Sequence, residues 1–148
     1  MAHTFSMTHR VAFSDTDMAG IMHFANLFRY MEMTEHAFFR SLGLSVHMQI
    51  EGRFYGWPRV QVACDFKHPL KFEEEFKVTL IVREKRARSL RYTFEVTKQT
   101  DGKTIEVAQG SFTVVCVSMD ASSGQMKAVA IPERISSCIE AAPSVSER

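Results

Sequence analysis

The sequence predicts an α+β fold in which one long buried helix is wrapped by a five-stranded antiparallel sheet. Three observations carry that expectation. A helix-period run covers about residues 22 to 42 and stops at Gly43, a residue suited to a helix C-terminus. Residues 4 to 13, ahead of it, alternate apolar and polar side chains. Behind it come four more period-2 runs, with Asp101-Gly102 as a hairpin signal between the third and the fourth.

The first strand places Phe5, Met7, His9, Val11 and Phe13 on one face. The helix follows. At 100° per residue from Phe24, the side chains of Phe28, Met31, Phe38 and Leu42 fall within about 40° of one direction, with Leu27 about 60° off. Glu35 falls among them, at about 20°. Residues 44 to 58 show no clean period and are punctuated by Gly52, Gly56 and Pro58, so a connecting loop with a short helical turn is expected. In the next run Val60, Val62, Cys64 and Phe66 alternate with Gln61, Ala63 and Asp65, and Pro69 ends it. Phe76, Val78, Leu80 and Val82 mark the following strand, and Leu90, Tyr92, Phe94 and Val96 the one after. The last covers about 104 to 118. Ser122, Ser123 and Gly124 form a loop, Pro132 opens a short terminal helix, and residues 142 to 148 read as frayed.

A chain of 148 residues with 45% hydrophobic content is long enough for a substantial core. It reads as a single domain over 1–148, with its core at about 5–135. A net charge of +1 gives no electrostatic case for nucleic acid or for an anionic membrane. No apolar run has the length of a membrane span, and MAHTFSMTHR has no signal-peptide core. Three cysteines, Cys64, Cys116 and Cys138, lack metal-type spacing. Cys64 and Cys116 lie in strand-like runs as reduced thiols, and cytoplasmic residence is the expectation.

The stretch with chemical content is Asp15-Thr16-Asp17-Met18-Ala19-Gly20 and the helix start beyond it. The first N–H groups of a helix lack intrahelical partners and carry partial positive charge, which suits a developing oxyanion. A carboxylate delivered beside them can act as nucleophile or general base. Gly20 permits a left-handed turn or the close approach of a substrate carbonyl. These are parts that acyl transfer needs.

This run, with Tyr30 and Glu32 downstream, resembles the 4-hydroxybenzoyl-CoA thioesterase family of hotdog-fold acyl-CoA thioesterases, over roughly residues 5 to 135. The resemblance implies a long central helix wrapped by a five-stranded sheet. It further implies hydrolysis of an acyl-CoA thioester, with Asp17 as the catalytic carboxylate and the backbone N–H of Phe24 polarising the thioester carbonyl. Where many bacterial members have tyrosine then histidine, this chain has His23 then Phe24, so His23 is a catalytic candidate by position alone. The family places the start of the strand beginning at Ser89 near the nucleotide. Arg86, Arg88 and Ser89 are therefore expected to contact coenzyme A, whose phosphates suit guanidinium groups. Lys67 and His68 are secondary candidates for the same ligand.

Each remaining candidate has a structural alternative. Asp15 reads as a turn or cap residue, and Glu32 as structural. Glu35, a carboxylate on an apolar helix face, must find partners or hold its proton. It is either a buried ion-pair member or a second acid or base in the substrate pocket. A metal site from Asp15, Asp17 and His23 lacks recognisable ligand spacing, so no metal is expected. No cofactor is needed either, because coenzyme A is part of the substrate. One helix over one sheet leaves apolar edges, so a homo-oligomer is expected, either a dimer that extends the sheet or a dimer of dimers, a homotetramer. The competing function is non-catalytic binding of acyl-CoA or another small apolar ligand, with Asp17 merely shaping the helix start. A hotdog dehydratase is disfavoured, because Ala25-Asn26-Leu27 follows His23-Phe24 in place of that class's proline-rich segment.

Overall fold

In a computed structural model, residues 1–144 are described. Of the tail expected to fray, 145–148 lie outside the described residues. Strand β1 (Thr4–Arg10) leads through a short 3-10 turn (Phe13–Asp15) and a tight loop into helix α1 (Phe24–Ser41). Then come β2 (Met48–Ile50), β3 (Arg53–Gly56), β4 (Arg59–Phe66), β5 (Glu75–Lys85), β6 (Ser89–Thr100) and β7 (Lys103–Val115). The short strands β8 (Val117–Met119) and β9 (Met126–Ala128) and the single turn α2 (Glu133–Ser136) complete the order.

The main sheet is antiparallel in the order β1-β5-β6-β7-β4, and α1 packs against it, most closely on β5 and β1. The period-2 pattern explains this face. Phe76, Val78, Leu80 and Val82 on β5, and Leu90, Tyr92, Phe94 and Val96 on β6, are all buried beneath the helix. Each such side chain contributes roughly 1.5–3 kcal/mol of transfer free energy on burial. On β7, Gly110 lets the helix come close: a Cβ there would meet the Met31 Cε at 2.6 Å and the Ala63 carbonyl oxygen at 3.2 Å.

The structure corrects the sequence reading in several places. The buried face of α1 is Leu27, Tyr30, Met31, Thr34, Glu35, Phe38 and Phe39, turned by about 35° from the expected stripe. Phe24 is 59% exposed, because the first helical turn projects beyond the sheet. Phe13 also leaves its predicted face, since the chain breaks from β1 into the 3-10 turn. The expected loop at 44–58 contains the β2–β3 hairpin instead. Its turn is at Glu51-Gly52, both with positive φ. This hairpin joins β8 and β9 in a second four-stranded sheet, ordered β2-β3-β8-β9. The strand expected at 104–118 is divided at Cys116, where the chain passes from one sheet to the other.

Strand β4 has the predicted apolar alternation but little cover. Val60 is 61% exposed, Val62 47% and Phe66 49%. It is an edge strand of the main sheet, at the end away from β1 and β5, on which α1 packs most closely. Among the described residues no helix is long and apolar enough to cross a membrane, and no cluster of three or more His, Cys, Asp or Glu could hold a metal.

Candidate active site

The approach to α1 is built by a latch. Asp15 is buried, and its Oδ2 accepts from the Ala12 N–H at 3.0 Å and from the Tyr30 hydroxyl. Burial, and then the adjoining Asp15, push the Tyr30 phenol up to about 12, so it remains a donor to this carboxylate. The Asp15 carbonyl accepts twice more, from the His23 N–H at 2.8 Å and from Asn26 Nδ2 at 2.9 Å. The start of the helix is thereby tied to the end of the strand segment. Deeper in, Thr34 donates to the Tyr30 carbonyl at 2.8 Å, so the His9 Nε2 at 2.9 Å from the Thr34 hydroxyl oxygen acts as its donor. Burial pushes the His9 pKa down.

Between Asp15 and His23 the chain makes a tight reversal. The Gly20 N–H donates to the Asp17 carbonyl at 3.0 Å, the Asp17 N–H to the Ile21 carbonyl at 2.9 Å, and Thr16 pairs with Met22. Gly20 supplies the left-handed conformation, with φ of 79°. The side chain of Asp17 accepts the Ala19 N–H on Oδ1 at 2.8 Å, within the turn. It does not cap the helix. His23 is the N-cap residue and makes no side-chain cap bond, and no acidic residue stands in the first turn. Among the described residues the Phe24 N–H, first of the helix, donates to no acceptor.

Asp17, His23 and Phe24 share a cleft of about 440 Å³. Its opposite wall is the strap after β4, where Phe66, Lys67, His68, Pro69 and Leu70 run past Val107 of β7. Main-chain bonds hold the two walls in register: the Met22 N–H donates to the Leu70 carbonyl at 2.7 Å, and Ile21 bridges to Lys71. The cleft is mostly apolar, with one carboxylate and an uncapped helix start on the same side. That pairing can bind a carbonyl oxygen and bring an attacking oxygen to its carbon.

Other candidates lie elsewhere. Gly20 shapes the turn and is not itself in the cleft wall. Glu35 is 0% exposed and held by Arg59, whose Nη2 lies 2.7 Å from its Oε1. Burial pushes its pKa up, and the guanidinium opposes that shift. The sealed hydroxyl of Tyr92, which among the described residues has no partner within hydrogen-bond geometry, adjoins the same carboxylate. A substrate contact by Glu35 is therefore corrected to a buried ion pair, closed off by the sheet it faces. Glu32 joins the same Arg59 Nη2 at 3.1 Å.

Arg86, Arg88 and Ser89 stand apart from the cleft wall. Arg86 and Arg88 lie in the β5–β6 turn and Ser89 opens β6, paired with Val115, whereas the cleft meets the sheet at Val107. Eight residues of extended strand place them on the order of 25 Å from it. None of the three lines the cleft itself. Lys67 and His68, the secondary candidates, are in its wall instead. Asn26 had no place in the sequence reading; its signal was a polar amide in the first helical turn, three residues after the cap. The cysteines are free, and burial pushes the thiols of Cys64 and Cys116 up to about 11.

The hotdog arrangement of helix and sheet, with the acid-bearing loop at the helix start, defines a class of thioester hydrolases. The sequence pattern of the thioesterase-like superfamily matches residues 11–139, and the chain belongs to that superfamily. It is 23% identical over 134 residues to 4-hydroxybenzoyl-CoA thioesterase of Pseudomonas sp. (strain CBS-3), covering 89% of this chain and 94% of that one. The fold superposes on a crystal structure of a 4-hydroxybenzoyl-CoA thioesterase variant complexed with 4-hydroxybenzoyl-CoA, with a TM-score of 0.79 at 20% identity over 93% of this chain and 99% of the other. A gentisyl-coenzyme A thioesterase gives a TM-score of 0.73 at 26% identity over 90% and 98%.

Proposed function

We propose that the protein hydrolyses an acyl-CoA thioester to the free acid and coenzyme A in the cleft between the helix start and the strap after β4. The observation that carries this reading is the placement of Asp17 and the unpartnered Phe24 N–H on one apolar cavity. The Phe24 N–H receives the thioester carbonyl oxygen, where negative charge grows as the tetrahedral centre forms. Asp17 either attacks the carbonyl carbon or takes a proton from the water that does. In both routes the C–S bond breaks, the thiol leaves protonated, and one water is consumed. His23, at the helix start, contacts the reacting thioester. The names of the relatives, which act on hydroxybenzoyl and gentisyl thioesters, support an acyl-CoA and favour an aromatic acyl group.

The working unit in this reading is a homodimer that extends the main sheet through β4, whose Val60, Val62 and Phe66 lack cover. A dimer of dimers is its natural extension, and the cytoplasm its compartment. Arg86, Arg88 and Ser89 are the proposed contacts of the nucleotide end of coenzyme A, from the same chain or from a second copy.

A thiol-release assay over a panel of aromatic and aliphatic acyl-CoAs tests the proposal. Turnover of at least one class is the expected result. Binding of these esters without thiol release across the whole panel would mark a carrier or sensor and reject hydrolysis.

A further inference from the structure

The cleft wall contains one polar side chain, His68, that neither the proposed hydrolysis nor an ion pair engages. Lys67, beside it, has its ammonium 3.1 Å from the Glu106 carboxylate. Among the described residues His68 has no such charge partner. Its Nδ1 lies 2.8 Å from the Glu106 carbonyl oxygen. A carbonyl only accepts, so Nδ1 carries a proton, and the tautomer with its single proton there leaves Nε2 as a lone-pair acceptor. The ring is also well placed by its backbone. The N–H groups of Lys67 and His68 both donate to the Val107 carbonyl, at 2.8 and 3.1 Å, and the following Pro69 confines His68 to extended conformations. The neighbouring wall consists of Phe66, Pro69, Leu70 and Val107. In such a wall, a lone oriented acceptor selects ligands that bring it a donor.

We propose that His68 is a specificity-determining residue whose Nε2 accepts a hydrogen bond from an O–H or N–H donor on the bound thioester. The inference rests on the acyl-thioester reading above. The donor is either a hydroxyl of the acyl group or an amide N–H of the pantetheine arm, and both present the same chemistry to the ring. His68 touches substrate without taking part in bond making, so its loss acts on KM and leaves kcat nearly unchanged.

The test compares wild type, His68→Ala and His68→Gln by steady-state thiol release. The substrates are 4-hydroxybenzoyl-CoA against benzoyl-CoA, 3-hydroxybutyryl-CoA against butyryl-CoA, and the same acyl groups on a simple alkanethiol lacking amides. His68→Ala is expected to lower kcat/KM about three- to tenfold through KM, and His68→Gln, which keeps an acceptor, to recover part of it. A loss confined to hydroxylated acyl groups places the donor on the acyl group. A loss common to all the CoA esters but absent from the alkanethiol esters places it on pantetheine. Unchanged kcat/KM on every substrate, or an equal loss on every one, overturns the proposal. Calorimetric binding of the non-hydrolysable thioethers 4-hydroxybenzyl-CoA and benzyl-CoA separates the two readings. Were wild type to bind them without turning over any ester, hydrolysis would fall while a weaker Kd in His68→Ala would still support His68. Equal Kd values in the two proteins would overturn the role of His68 whatever the turnover.

Discussion

Two carboxylates on or beside the same helix have opposite surroundings. Asp17 precedes α1 on an exposed turn, accepts one bond from that turn, and borders a cleft. Glu35 sits midway along α1 with no exposure and an Arg59 partner at 2.7 Å. The first position costs little to maintain, because solvent reaches the charge and the turn needs only Gly20. The second depends on its partner, because a buried carboxylate without a cation must give up its charge or destabilise the fold. A charge kept near solvent is available to a ligand; a neutralised one in the core holds helix to sheet. The two regions should therefore fail differently when altered.

The largest expected effect is catalytic. Asp17→Asn should lower kcat by about two to four orders of magnitude, with a thermal midpoint near that of wild type. Thiol release and a melting curve on the same preparation check both halves. Near-normal turnover would erase the contrast between the two carboxylates.

The next effect is on stability. Arg59→Met leaves Glu35 buried without its cation and should cost about 3–5 kcal/mol, while Arg59→Met combined with Glu35→Leu should recover much of that. The pH dependence has a definite sign. Burial raises the folded-state pKa of Glu35, so above the ordinary carboxylate range the unfolded chain has released this proton while the folded chain still binds it. Stability linked to Glu35 is thus fully present at low pH and is lost as pH rises toward the folded-state pKa. Without Arg59 to oppose the shift, the deficit of Arg59→Met should widen with rising pH. Urea titrations at several pH values measure it, and a deficit that shrinks toward neutral pH would contradict the assignment.

Tyr30→Phe removes the hydroxyl that Asp15 accepts from in the latch. It should cost about 1–3 kcal/mol and lower turnover more mildly than Asp17→Asn, because the acid-bearing turn is loosened without losing its acid. Chemical denaturation and kinetics together check this. Gly20→Ala should have the smallest effect, about 1–2 kcal/mol for forcing a side chain into left-handed φ. Nothing lies within 4 Å of the Cβ it would add, so no clash contributes. A cost above that range would mean that the turn needs Gly20 for more than its φ.

The contrast also marks how far the sequence could be read. The acid turn, the glycine and the helix start were legible because all lie within ten residues of one another, where local geometry decides placement. The strands of the main sheet were legible because their alternation is long. The β2–β3 hairpin was not, because strands of three or four residues leave no period to detect. The helical stripe was legible to within about 35°. The deviation comes from Tyr30 and Thr34, polar-tipped side chains buried for bonds to Asp15 and His9 that no hydropathy pattern contains. The far wall of the cleft could be placed only once β4 and β7 were paired, which is why His68 ranked below Arg86 and Arg88 in the sequence and stands above them in the structure.

The bonds between the cleft's two walls run from peptide to peptide, Met22 to Leu70 and Ile21 to Lys71. Such a frame does not depend on which residues decorate it. Under the proposed hydrolysis, side chains facing the acyl group can be exchanged over evolutionary time without detuning Asp17 from the Phe24 N–H, and one scaffold can diversify its substrates while keeping its chemistry.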